Sequence, residues 1–152
     1  MGFGTSMTHA IFFIASALVA LAIVGVVTVS VTSLANSFSA KAGQLSDQIK
    51  TEIRLTGDTC FLGGSNAVYV KNTGNSFLDA NATNIFLDGS VYPLSSIEIY
   101  KNNAWVFYST VGVWAPSELA RFNTTSNLPT GYHKLRAVTE NGVYDSLEYS
   151  DC

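Results

Sequence analysis

From Ala10 the chain reads AIFFIASALVALAIVGVVTV, and no Asp, Glu, Lys or Arg occurs before Lys41. An apolar run of this length constrains the fold more than anything else in the sequence. As a helix rising ~1.5 Å per residue, Ile11 to Val29 covers roughly 28 Å, close to the ~30 Å hydrocarbon core of a bilayer. Three uses suit such a segment: a secretory signal that is removed, an anchor that stays, or the packed core helix of a filament. A secretory apolar stretch is shorter, about 7–15 residues, and follows a basic one. Here MGFGTSMTH precedes the run, with no Lys or Arg. A filament precursor of the pilin kind would carry a basic residue and Gly just before the run, and that pair is also missing.

The expectation is therefore a retained transmembrane helix over about 11–29. Ile11, Phe12, Phe13, Ile14, Leu18, Val19, Leu21, Ile23, Val24, Val26 and Val27 would hold it in the bilayer. The positive-inside rule has little to act on, since only the α-amino group and His9 lie nearby. A single pass through the cytoplasmic membrane, with a short N-terminal tail inside and the following domain outside, is the simplest topology. Ser16 and Ala20 form a small-xxx-small pair that lets a second helix approach closely, although small residues are also common in membrane helices generally.

The helical pattern continues past the membrane. Val27, Val31, Leu34, Phe38, Leu45 and Ile49 recur at spacings of three, four or seven, with polar residues on the other faces. Gly43 weakens the helix by ~1 kcal/mol and is a candidate bend. An apolar stripe in water must be covered, either by the chain's own domain or by other helices. Packing between molecules is the expectation, with Ser16, Ala20, Val31, Leu34, Phe38, Leu45 and Ile49 as the assembly residues. Residues 1–50 then form an anchor and stalk, and 51–152 a separate domain.

After Lys50 the period shifts from helical to alternating. Candidate strands are Glu52–Thr56, Ala67–Lys71, Asn84–Asp88, Ile97–Lys101, Ala104–Thr110, Glu118–Phe122, His133–Thr139 and Val143–Tyr149. Turn residues separate them: Gly63-Gly64, Asn72-Thr73-Gly74, Asp88-Gly89, Asn102-Asn103 and Pro129-Thr130-Gly131. The fold class expected is α+β, a long helix followed by an immunoglobulin-like antiparallel β-sandwich. Asn141-Gly142 reads as a type I′ hairpin turn joining the last two strands. Tyr100, Trp105, Phe107, Trp114 and Phe122 suit a sandwich core better than a carbohydrate platform. Trp114, in the loop-like GVWAPSE, is singled out as a partner contact.

Net charge is -3 and the few cations are scattered, which gives no footprint for nucleic acid. Cys60 and Cys152 are the only cysteines. They are too few for a metal site with the distant His9 and His133, and they form no Cys-x-x-Cys pair. In an oxidising compartment they could close a disulfide; otherwise they are two unrelated thiols. Asn81-Ala82-Thr83 and Asn123-Thr124-Thr125 match the N-glycosylation pattern, both in expected loops. No phosphate loop, zinc-protease motif, nucleophile elbow or paired carboxylates are visible, and no cofactor is called for. His133 reads as a surface residue, and Asp145, Glu148 and Asp151 as a solvated edge.

Together, the stretches MGFGTSMTHAIFFIASALVALAIVGVV, VTSLANSFSAKAGQLSDQIKTEIRLTGD, YVKNTGNSFLDA, FLDG, WAPSE and GYHKLRAVTENGVYDS resemble the G-type accessory proteins of the archaellum, the archaeal swimming filament. The F-type proteins and the archaellins share the same general plan. The resemblance implies a static part of the motor: a membrane-anchored protein whose sandwich domain lies outside the cytoplasmic membrane. It also implies association with the F-type protein and, through it, with the surface layer, while helix and strand edges offer self-assembly. Two other readings stand beside it: an archaellin or pilin-like filament subunit, and a membrane-tethered module that binds glycans or surface-layer protein.

Overall fold

The computed structural model describes residues 3–60 and 62–150. One helix, α1, runs from Phe3 to Lys50 without interruption. Ala, Leu, Val and Ile dominate its first half, and no Pro occurs in the chain before Pro93. Its hydroxyl residues bond within the helix: Thr28 Oγ1 donates to Val24 O at 2.8 Å, Ser30 Oγ to Val26 O at 2.9 Å and Ser37 Oγ to Ser33 O at 2.9 Å. Hydroxyls satisfied in this way need no water, so they are compatible with an apolar medium.

The chain divides into two compact units, Met1–Gly43 and Gln44–Cys152. The second unit includes the last two turns of α1 together with the sheets. The helical ladder runs on through Gly43.

Among the described residues the second unit holds nine strands: β1 Ile53–Thr56, β2 Ala67–Asn72, β3 Asn84–Leu87, β4 Ser90–Val91, β5 Leu94–Lys101, β6 Ala104–Phe107, β7 Leu119–Thr124, β8 His133–Val138 and β9 Tyr144–Tyr149. All ladders are antiparallel. One sheet has the order β1-β2-β7-β5-β6 and the other β4-β3-β8-β9. Val68, Val70, Ile99 and Phe122 of the first sheet share one core with Ile85, Leu135, Ala137 and Tyr149 of the second, which makes the unit a sandwich. Alternation fixes this: along β7 every second residue (Ala120, Phe122, Thr124) is buried, and a slip of one residue would turn them all outward. At one side Asp145 Oδ2 accepts Leu55 N–H at 2.8 Å, tying β9 to β1 across the two sheets. Asp145 is therefore a half-buried latch and not part of a solvated edge.

Several local expectations are corrected. The strand expected over Ala104–Thr110 ends at Phe107, and one helical turn, α2 Tyr108–Val111, follows. Tyr108 is buried and its hydroxyl donates to Asp79 Oδ1 at 3.0 Å, which draws the chain out of the sheet. Asp88-Gly89 (φ 49° and 85°) and Asn102-Asn103 (φ 52° and 61°) place both central residues in the left-handed region, as a type I′ hairpin requires. Asn141-Gly142 does not: only Gly142 has positive φ, at 76°. Gly142 N–H donates to Thr139 O and Thr139 N–H to Val143 O, both at 2.9 Å, which closes a three-residue loop. Asn141 is held otherwise, its Nδ2 donating to Thr51 Oγ1 at 3.0 Å and its carbonyl accepting from Gln48 Nε2 at 2.9 Å. The pairing of β8 with β9 is the one expected from the sequence.

Trp114 is the largest correction. It is completely buried, edge-on to Phe122 at 6.0 Å, and its indole N–H donates to Glu118 O at 3.1 Å. The loop-like sequence around it hides a core residue, so it offers nothing to a partner. Tyr100 and Phe107, expected inside, are 41% and 57% exposed. They and the half-buried Trp105 occupy the outer face of the first sheet.

Candidate anchor and assembly surfaces

All eleven anchor residues between Ile11 and Val27 are more than half exposed along α1. At 100° per residue they fall all round the helix, the pattern of a segment surrounded by apolar medium. Each such side chain gains ~1.5–3 kcal/mol on leaving water, so water is a poor medium for this stretch. The helix is long and apolar enough to cross a membrane. Ser16 and Ala20 lie on it, with Ser16 Oγ donating to Phe13 O at 2.9 Å, which leaves a narrow, self-satisfied surface.

Beyond the apolar stretch the distribution narrows. Val31, Leu34, Phe38, Leu45 and Ile49 fall within roughly 60° of the helix circumference. All are exposed, Phe38 and Ile49 by 75% and 77%. Leu45 and Ile49 belong to the second unit, and there the sheets do not cover the stripe.

The end of α1 is fastened to the sandwich by a clasp that sequence reading missed. Asn75 N–H donates to Lys50 O at 2.8 Å, and Thr73 and Gly74 N–H both donate to Glu52 O, at 2.9 and 2.8 Å. The buried Asn72 shapes the clasp: its Oδ1 accepts Gly74 N–H at 3.1 Å and its Nδ2 donates to Ser76 O at 2.9 Å. Only glycine fits at 74, because a Cβ there would lie 2.4 Å from Glu52 N and 2.5 Å from Lys50 O. Gln48, Thr51 and Asn141 complete the seat from the other side. The stretch Asn72-Thr73-Gly74, legible only as a turn, is the part that joins helix to sheets.

Each sheet also presents an outer face. On the first, Arg121 lies 4.5 Å over the Trp105 ring and pairs with Glu98, its Nε 2.7 Å from Glu98 Oε2. Burial opposes charge on Arg121, but the Glu98 carboxylate and the Tyr69 hydroxyl outweigh it and raise its pKa. On the second, Arg136 lies 4.7 Å over Tyr144. Near its rim His133 Nδ1 meets Asp88 Oδ2 at 2.7 Å and Nε2 meets Thr130 O at 3.1 Å. The Lys134 N–H and the His133 ring hold the Asp88 carboxyl below its ordinary range.

The remaining predicted sites are dispersed. Cys60 is disulfide-bonded, and Cys152, like Asp151, lies outside the described residues. Asn81 sits exposed in a 3-10 turn, Ala80–Ala82. Asn123, expected in a loop, lies in β7 instead, its Nδ2 donating to Ser96 Oγ at 2.9 Å. Among the described residues no group of His, Cys, Asp and Glu is arranged to hold a metal ion.

These features define a class: a long apolar helix followed in the chain by an antiparallel β-sandwich. The family model described as archaeal-type flagellin matches residues 2–149, and the chain belongs to that family. It is 22% identical over 146 residues to a Methanocaldococcus jannaschii protein described as flagella-related protein G, covering 91% of this chain and 90% of that one. A further match is the archaellum periplasmic stator protein FlaG from Sulfolobus acidocaldarius, at 15% identity and TM-score 0.39, covering 65% of this chain and 99% of that one. The resemblance to G-type archaellum proteins read from the sequence is borne out.

Proposed function

We propose that this protein is a membrane-anchored, static component of the archaellum motor. α1 holds it in the cytoplasmic membrane with the N-terminus inside, and the sandwich works outside, gripping the cell envelope through protein contacts. The observation that carries this reading is an apolar helical stretch, exposed all round, in the same chain as a β-sandwich that hydrogen-bonds the last residue of α1. A part that resists torque needs a fixed anchor and a folded domain that grips, and this reading assigns both tasks to one chain. Membership of the archaeal-type flagellin family and the likeness to flagella-related protein G support the assignment to this machinery.

By the same reading, the Val31–Ile49 stripe packs against like helices or an F-type partner, and through that partner the sandwich reaches the surface layer. Cys60 pairs with Cys152 to fasten the C-terminus, and Asn81, in its exposed turn, is the better placed of the two glycan acceptors. The test is mild cross-linking in intact cells, followed by solubilisation and identification of partners. Recovery of motor and surface-layer proteins supports the reading, and a deletion strain that swims normally refutes it. The second reading, a filament subunit, is favoured by the description of the matching family itself. It predicts the protein in sheared filaments and not in washed membranes.

A further inference from the structure

The register of the five-stranded sheet aligns Arg54, Lys71, Leu119, Tyr100 and Trp105 in one row across its outer face. Arg54 and Lys71 are directly opposite each other on β1 and β2, and both are exposed. Like charges in that position destabilise an antiparallel pair. Neither makes an ion pair among the described residues, whereas Lys101, Arg121 and Lys134 each have a Glu partner. Arg136 also lacks a carboxylate partner among the described residues, but it lies over the Tyr144 ring and stands opposite Phe86 and Ser146; of the strand cations, only Arg54 and Lys71 face each other unneutralised, in a chain of net charge -3.

Beside them the row becomes apolar and aromatic. Tyr100 and Trp105 lie 5.2 Å apart, and Arg121 is already saturated by Glu98 and Trp105. An uncompensated cationic pair bordering exposed aromatic surface is the composition of a binding face. Because Arg121 covers a face of the Trp105 ring, that ring is poorly placed to stack a sugar, which favours a polypeptide occupant. We infer that the outer face of the five-stranded sheet docks a carboxylate-rich polypeptide surface. Arg54 and Lys71 receive the carboxylates, and Tyr100, Leu119 and Trp105 form the apolar body of the contact.

The test uses the full chain in detergent micelles and a fluorescein-labelled peptide alternating Glu with Phe, read by fluorescence polarisation at low salt. The expected result is saturable binding that weakens at least about tenfold when Arg54→Thr and Lys71→Thr are combined, and that weakens with added salt. Arg136→Gln, on the other sheet, leaves it unchanged. Removing the like-charged pair also leaves the thermal midpoint equal to wild type or a few degrees higher. A double variant that binds like wild type overturns the proposal, and so does one that unfolds at clearly lower temperature, since the pair would then be structural. Polygalacturonate displacing the peptide at equal carboxylate concentration would assign the face to an acidic glycan. Loss of self-association in the double variant would assign it to a second copy. Either result overturns the polypeptide assignment.

Discussion

Gly74→Ala tests the joint between helix and sandwich. The added Cβ would lie 2.4 Å from Glu52 N and 2.5 Å from Lys50 O, and both are backbone atoms that no rotamer change can move. The clasp must retreat, and the bonds at stake are Thr73 and Gly74 N–H to Glu52 O and Asn75 N–H to Lys50 O. At ~0.5–1.5 kcal/mol each, losing them costs about 3 kcal/mol. For a sandwich of this size, with at least ~4 °C per kcal/mol, the midpoint falls by roughly 12 °C or more. The assay is near-UV circular dichroism on heating, with the full chain in detergent. Gly43→Ala is the matched control: a Cβ there meets nothing within 4 Å, so the substitution removes only the helix cost of glycine, ~1 kcal/mol in the stabilising direction. A Gly74→Ala midpoint within about 2 °C of wild type would refute the clasp as an energetic joint.

Other outcomes follow from the same geometry. Trp114→Ala opens a cavity against Phe122 and should cost ~3–5 kcal/mol, measurable by chemical unfolding. Asp88 has a depressed carboxyl pKa, so its contribution is present above the unfolded carboxylate value near 3.8 and is lost as pH falls through the lower folded value. Asp88→Asn, which tolerates the left-handed turn, should flatten the pH dependence of the unfolding midpoint in that acid window. Phe38→Ser with Leu34→Ser should abolish cross-links between α1 helices while leaving the sandwich's unfolding temperature unchanged.

What the sequence disclosed follows from the range of the interactions involved. α1 was legible because its apolar run and lack of breakers are local properties. The strands were legible from alternation, and Asp88-Gly89 and Asn102-Asn103 turned as their residue types prescribe. Asn141-Gly142 broke that rule because Gln48 and Thr51, about ninety residues earlier, claim Asn141. Trp114 and Asp145 were misread for the same reason, since nothing in GVWAPSE or VYDSLEY announces a partner in another strand. β4 spans only two residues, too short to alternate. The row of Arg54, Lys71, Leu119, Tyr100 and Trp105 needs the register of five strands, which no single stretch encodes. The clasp was half visible, in a turn sequence whose purpose required knowing where Lys50 ends.

The proposed function requires that the apolar helix is kept as a membrane anchor. Intact-mass analysis of the protein from carbonate-washed membranes tests it most directly. A retained anchor gives a membrane-bound chain whose mass includes the segment before Ala10 and the whole of Ile11 to Val29. A mature chain beginning near Ala10 and recovered in sheared filaments would contradict it.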